Sequence, residues 1–538
     1  MTAFFALLRQ RIRRDGIQVL LWIVATTLLG VGSYVGVQGS FGTLQDRTSL
    51  LAAALANPVV LLFRGLPSGT DEGAFAIFLI LPWLAMLAAL MSTFLAVRHT
   101  RGDEEAGRGE LVSATPIPRA LPLLATAGYG LLANAVLAAA TAGGLVAVGL
   151  EASGAILSGV ATGTVGFAFL GVGLVAAQLA RTSRGANSLA VWITVSTFVL
   201  AGLGNAVGRP SDDLTRMESS WLVWLSPFGW AEQTRPFADD AWGPLLLSAV
   251  FGAALIAVAT SLTATRDSGE GAWAERRGRA HASAALGSPL GLVWRLARGG
   301  IIGWTVGGLL AGTLSTSLAS VINDIGADNP AITRVISQIA GQSGIEQGVV
   351  TTFFTMIGIL AACCAVQVVC RARQEEAHGL AEPVLAAPVG RVRWLRDYLL
   401  VAIMGVVAVV TSAVTGATIG VAVRGGESSL VRDAAVAGSG QAAAASVFLV
   451  LTAVVFVVLP RATLGIGWAL VLVGMLTGLF GPLFGLPEAV TRLSPVATTP
   501  EMVGSEVDLR GLWWLLLVVA GGAAVALTLM RRRELHPD

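Results

Sequence analysis

Two short acidic stretches repeat the same residue types in the same order. Glu104-Glu105 is followed by Arg108, Glu110, Ala114, Pro116 and Arg119. Far downstream, Glu375-Glu376 is followed by His378, Glu382, Ala386, Pro388 and Arg391. Allowing one extra residue in the second copy, each spells a glutamate pair, a third glutamate, a small residue, a proline and an arginine. Carboxylates spaced along a short exposed helix form ion pairs with a basic partner, and the proline ends the segment. The plainer reading is a solvated loop whose arginines only set topology. The acidic pattern in both copies argues against it, because topology signals need arginine and not paired glutamates at matched positions.

Other chemistry is sparse. The sequence contains no lysine, so all 35 basic residues are arginine. A P-loop needs a lysine to reach the β- and γ-phosphates of ATP, so an ordinary ATPase site of this kind is excluded, and any ATPase must be a separate subunit. Four histidines, His99, His281, His378 and His536, are scattered without metal-ligand spacing and read as surface residues. No resident metal, catalytic residue or nucleic-acid partner is expected. Cys363, Cys364 and Cys370 share one apolar run and read as packing residues, not a disulfide framework.

The elements that position the acidic stretches are membrane helices. The chain is 54% hydrophobic and 13% charged, with mean hydropathy +0.74, against about 25% charged residues in a soluble domain. The 65 glycines fit close helix approach in lipid. About 20 apolar residues cross a bilayer. That length gives spans near 17–38, 73–97, 121–149, 155–180, 188–207 and 243–264, then 300–322, 349–370, 398–423, 438–459, 464–484 and 511–530. Each acidic stretch lies between two spans. Residues 1–16 mix Phe4, Phe5, Leu7 and Leu8 with Arg9, Arg11, Arg13 and Arg14, as an interfacial helix does. Segments 50–66 and 217–232 are apolar but too short or interrupted to cross and read as interfacial or re-entrant helices.

With both termini cytoplasmic, most arginines fall on the inside, including Arg98, Arg101, Arg181, Arg266 and Arg531 to Arg533. The acidic stretches fall there too. Asn57-Pro58 matches Asn329-Pro330, and Pro116 matches Pro388, both at an offset of 272; Leu225-Ser226-Pro227 matches Leu493-Ser494-Pro495 at 268. The order implies two parallel six-span repeats: 1–264, a cytoplasmic linker over 265–290 that includes Glu275 to Arg279, and 291–538. The spans carry no Asp, Glu, Arg or His; their polar groups include Gln178, Asn205, Gln367 and Gln441. An ion-coupled carrier usually keeps an ionisable group in the membrane, so ion coupling through the spans is unattractive.

An interfacial N-terminal helix, six spans, a Glu-Glu hairpin after span two and a re-entrant segment before span six together resemble the ABC-2 type exporter permease (type V exporter). Two fused halves, with hairpins ending Ala114-Thr-Pro116-Ile-Pro-Arg119 and Ala386-Ala-Pro388-Val-Gly-Arg391, are similar to the actinobacterial tetronasin-type multidrug permease. The resemblance implies an all-α polytopic protein of the bacterial plasma membrane that is not itself an enzyme. It implies that Glu104, Glu105, Arg108, Glu110, Glu375, Glu376 and Glu382 dock two copies of a P-loop nucleotide-binding subunit, which binds ATP and Mg. It also implies alternating access for hydrophobic cargo, with a pocket among spans two, five, eight and eleven. Those spans carry Phe78, Trp83, Met86, Met91, Phe198, Asn205, Phe353, Phe354, Met356, Trp468, Met475 and Phe480, a lining of aromatic and flexible Met side chains suited to apolar ligands. The alternatives are an ATP-independent carrier or channel and a membrane assembly or sensory component.

Overall fold

The computed structural model describes residues 2–55, 58–266, 269–273, 286–326, 345–424, 428–479, 487, 491, 493–503, 506–508 and 510–534. Asn57, Asn329-Pro330, Glu275 to Arg279, His281, His536 and Phe480 lie outside them. The chain divides into two compact units, Met1–Arg277 and Gly278–Asp538.

The first unit is built from α1 (Thr2–Ser40), α2 (Leu44–Leu55), α3 (Pro58–Phe63), α4 (Glu72–Arg98), α5 (Arg101–Glu105), α6 (Arg108–Ser113), α7 (Leu121–Ala147), α8 (Ala152–Leu179), α9 (Ser183–Ala206), α10 (Pro227–Glu232) and α11 (Gly243–Thr265). The second contains α12 (Pro289–Gly326), α13 (Ile345–Ala377), α14 (Ala381–Ala386), α15 (Arg391–Arg424), α16 (Ser429–Val458), α17 (Thr463–Gly478) and α18 (Arg510–Met530). Among the described residues, eleven helices are long and apolar enough to cross a membrane, and α12 carries the remaining expected span. Strands among the described residues amount to two short antiparallel pairs, Arg209–Pro210 with Met217–Glu218 and Glu501–Val503 with Glu506–Asp508. The protein is an all-α polytopic membrane protein.

One expectation changes. The arginine-rich start is not a separate interfacial helix: α1 runs unbroken for 39 residues, because nothing before residue 17 stops it. Trp294 to Arg298 likewise lie within the 38-residue α12.

In the first unit α8 is the central helix, packed against α4, α7, α9 and α11. Small residues permit this. A Cβ at Gly159 would lie 2.3 Å from the Ala138 carbonyl oxygen, and one at Gly163 would lie 2.8 Å from that of Asn134, so these helices meet backbone to backbone. In the second unit α12 and α15 pack most closely, through Gly308 and Gly312 on one helix and Gly416 and Gly420 on the other.

Pro82 sits inside α4 and cannot donate to the Phe78 carbonyl four residues earlier. In an apolar setting that acceptor must find another donor. The Gly65 N–H supplies it at 2.8 Å, and Arg64 donates to the neighbouring Leu79 carbonyl at 3.1 Å. The non-crossing segment after α3 therefore mends the break in α4. Ser226 and Ser494, the centres of the two Leu-Ser-Pro motifs, are both buried. Their hydroxyls donate to the Thr197 carbonyl of α9 at 2.7 Å and the Gly474 carbonyl of α17 at 2.8 Å.

Candidate functional site

The first acidic hairpin is rooted by Arg101, whose side chain is fully buried. Its Nε and Nη2 donate to the Ala177 carbonyl at 3.0 and 2.8 Å. Nη2 also donates to the Glu270 carbonyl at 3.0 Å, and Nη1 to Glu104 at 2.8 Å. A guanidinium this buried is tolerated only when its forked donors are satisfied. Glu104 then receives a second arginine, Arg266, the residue following α11, through both guanidinium Nη atoms. Arg266 is itself held by Gln178 Oε1 at 2.7 Å and the Glu270 carbonyl at 2.6 Å. Gln178 is thus not a mid-membrane group. It stands in the last turn of α8, at the root of the hairpin.

The neighbouring carboxylates are also engaged. Asp103 accepts from Arg14 of α1 at 2.6 Å and from Arg108 at 3.0 Å. Glu105 accepts from the Ser183 N–H at 2.8 Å and from its hydroxyl, at the start of α9, where the free helix N–H groups favour an anion. Asp15 of α1 lies 2.7 Å from Arg98 and 2.7 Å from His99 Nε2. His99 is therefore buried beside the Asp15 carboxylate, not a surface residue. Arg11 is buried too and donates to the Pro122 carbonyl at 2.7 Å, so Arg11 and Arg14 serve the packing of their unit and do not simply face headgroups.

In the second unit α13 continues through its span into the hairpin. Glu375 pairs with Arg371 one turn earlier. Glu376, 2% exposed, pairs with Arg533, three residues beyond the end of α18. The Arg533 guanidinium also lies 4.6 Å from the centroid of the Phe456 ring, and its carbonyl accepts from Arg391 at 2.7 Å. His378 is exposed and its Nδ1 lies 2.7 Å from the Gln374 carbonyl.

The geometry corrects two expectations about the hairpins. The glutamate pairs are not free carboxylates awaiting a partner: Glu104, Glu105, Glu375 and Glu376 all have partners within their own units. The remaining acidic side chains on the outer turns, Glu110 and Glu382, are exposed, as are Leu111 at 75% and Leu380 at 54%. The second correction concerns register. Gly107 (φ +70°) and Gly379 (φ +69°) both adopt the left-handed conformation that ends a helix, and they are 272 residues apart. At that offset Arg101, Asp103, Glu104, Glu110 and Pro116 match Arg373, Glu375, Glu376, Glu382 and Pro388 with no extra residue. Matching Glu-Glu to Glu-Glu displaced the register by one. The repeated glycine marks the right one.

The expected pocket residues divide by unit. In the first, the Trp83 and Phe198 rings lie 5.7 Å apart, and Phe198 meets Phe228 of α10 edge-on at 5.5 Å. Phe78 and Met91 are buried in the core and Met86 is half-buried. Asn205 is buried at the far end of α9 from Ser183. Its Nδ2 donates to Glu232 of α10 at 2.6 Å and its Oδ1 accepts from Ser219 at 2.9 Å. Burial pushes the Glu232 carboxyl up to about 8, opposed by the Asn205 hydrogen bond. Sequence reasoning missed Glu232 because it stands in a Trp-rich loop outside the apolar runs. In the second unit Phe354 is buried and Phe353 and Met475 are half-buried, while Met356 and Trp468 are more than 40% exposed. An open apolar groove of about 650 Å³ between α15 and α16 is lined by Val407, Val410, Thr411, Val414, Thr418 and Ala442. None of the expected pocket residues lines it.

Comparison with known proteins gives two matches. Residues 286–531 match the family described as multidrug efflux system permease Rv1217c, C-terminal domain. Across 518 residues, 94% of this chain and 90% of the relative, the sequence is 33% identical to the multidrug efflux system permease protein Rv1217c of Mycobacterium tuberculosis. With hairpins rooted in a bundle of uncharged spans and likeness over nearly its whole length, the chain belongs to the multidrug efflux system permease family.

Proposed function

We propose that this permease is the membrane subunit of an ATP-driven exporter of hydrophobic compounds. In this reading two copies of a separate P-loop ATPase bind ATP and Mg and engage the two hairpins on the cytoplasmic face of the bacterial plasma membrane. Closure of the ATPases around nucleotide displaces the hairpins, and the spans alternate between inward- and outward-open states. Residues 1–264 and 291–538 act as two related halves joined by the 265–290 linker. The carrying observation is the build of the hairpins: exposed tips at Glu110-Leu111 and at Leu380 and Glu382, with roots fixed by buried arginines to several helices of the same unit. A loop that only set topology needs no such anchorage. The absence of lysine supports this reading, because a P-loop in this chain would lack the residue that reaches the phosphates. Trp83, exposed and backed by the buried Phe198 and Phe228 rings, offers an aromatic face to apolar cargo in the first unit.

The test is transport by proteoliposomes containing the chain and its ATPase. Efflux of a hydrophobic dye should require ATP and stop when the ATPase is inactivated at its catalytic glutamate. Efflux that continues with the inactive ATPase would mean an ATP-independent carrier.

A further inference from the structure

We infer that Glu104–Arg266 and Glu376–Arg533 are equivalent positioning clamps that fasten each hairpin to the end of the last span of its own unit. This rests on the proposed function, in which the hairpins receive the motion of an ATPase. The two carboxylates are 272 residues apart, in the register that also aligns Gly107 with Gly379 and Pro116 with Pro388. The two arginines lie one and three residues beyond the last helix of their units. Arg266 follows α11, the last helix of the first unit, and Arg533 lies just beyond α18, the last helix of the second.

Both clamps are withdrawn from solvent. The Arg266 and Arg533 side chains are 8% and 9% exposed, and Glu104 and Glu376 are 24% and 2% exposed. An arginine that only marks the inside of a membrane lies in water or among headgroups. Here each guanidinium also has a further partner: Gln178 Oε1 accepts from Arg266, and the Arg533 guanidinium lies over the Phe456 ring. Each pair therefore connects two elements far apart in sequence, with both ends held, beside the Arg101 donation to the Glu270 carbonyl in the first unit and the Arg391 donation to the Arg533 carbonyl in the second. The connections span 162 and 157 residues of sequence. The glutamates act through arginine, while the exposed outer turns remain for the partner.

Double-mutant cycles test this: Glu104→Gln, Arg266→Gln and both together, and the same with Glu376 and Arg533. Dye efflux is measured per folded complex, counted by size-exclusion chromatography, alongside the amount of ATPase that co-purifies. Each single change should lower efflux at least tenfold while retained ATPase stays within twofold of wild type. Each double variant should be no more than twofold worse than its singles, because removing either end already opens the clamp. Losses that multiply in the double variant would overturn the proposal, as would unchanged efflux per folded complex. Loss of the ATPase in proportion to efflux would also overturn it, since the glutamates would then be docking residues. Wild-type efflux with no ATPase present would defeat the proposed function, while the efflux cycles would still decide the clamp.

Discussion

Glu232 gives the account a pH signature. The carboxyl is buried between α9 and α10, with the Asn205 amide donating to it at 2.6 Å and burial holding its pKa up at about 8, against 4.5 for the free side chain. The folded state therefore keeps a proton that the unfolded chain loses. Stability from this group is fully present below pH 4.5 and declines as pH rises through about 8. The slope is about 1.4 kcal/mol per pH unit where the two states differ by a full proton, so the whole window is worth about 5 kcal/mol, and the interval from pH 6 to 8 about 2 kcal/mol, as orders of magnitude. For a unit of this size that interval corresponds to a thermal midpoint shift of about 5 to 10 °C. Glu232→Gln preserves an oxygen to accept from Asn205 and removes the titration. Thermal unfolding of both proteins in detergent from pH 6 to 9 should show the wild type losing stability relative to the variant as pH rises, with the difference levelling above pH 8. Parallel curves would refute the buried, proton-bearing carboxyl. A wild type that gains on the variant with rising pH would reverse the sign of the argument.

Arg101→Met should destabilise the first unit by about 3 to 5 kcal/mol, because Glu104 and two backbone carbonyls lose a buried partner; Arg101→Lys should recover less than half of that, and the yield of folded protein after mild heating reads both. Gly312→Leu should sharply reduce folded yield. A Cβ there would lie 1.9 Å from the Ala413 carbonyl oxygen, a clash that only a backbone shift of about 3 kcal/mol or more relieves. Gly303→Leu on the same helix, where a Cβ meets nothing within 4 Å, should be tolerated in the same assay. Glu110→Ala combined with Leu111→Ser should lower co-purification of the ATPase at least fivefold with no change in thermal midpoint. These residues are at the exposed tip and carry little of the unit's packing.

The membrane architecture was legible because long apolar runs have few alternatives to crossing a bilayer. The hairpins were legible as acidic islands between such runs. Their internal wiring was not. Arg266 and Arg533 reach Glu104 and Glu376 across more than 150 residues, and no local pattern ties them together. His99 reads from sequence as a solvated residue at the end of a span, yet it is buried with its Nε2 2.7 Å from Asp15, a residue near the chain start. Gln178 looked like a mid-membrane hydrogen-bonding group because a run of apolar residues does not show where its helix stops. Gly107 and Gly379, with φ near +70° in both, favour the 272-residue register. The glutamate pairs are only side-chain types, whereas this backbone turn is one that glycine alone makes at low cost.

The central claim is that the exposed hairpin tips meet a nucleotide-hydrolysing subunit. A photo-crosslinking amino acid placed at Leu111, and separately at Leu380, in cells expressing the chain with its candidate ATPase tests that contact directly. The account predicts a crosslink to the P-loop ATPase from both positions, and none from the exposed Trp221 beyond the opposite end of α9. An ATPase crosslinked from Trp221 and from neither tip would contradict it.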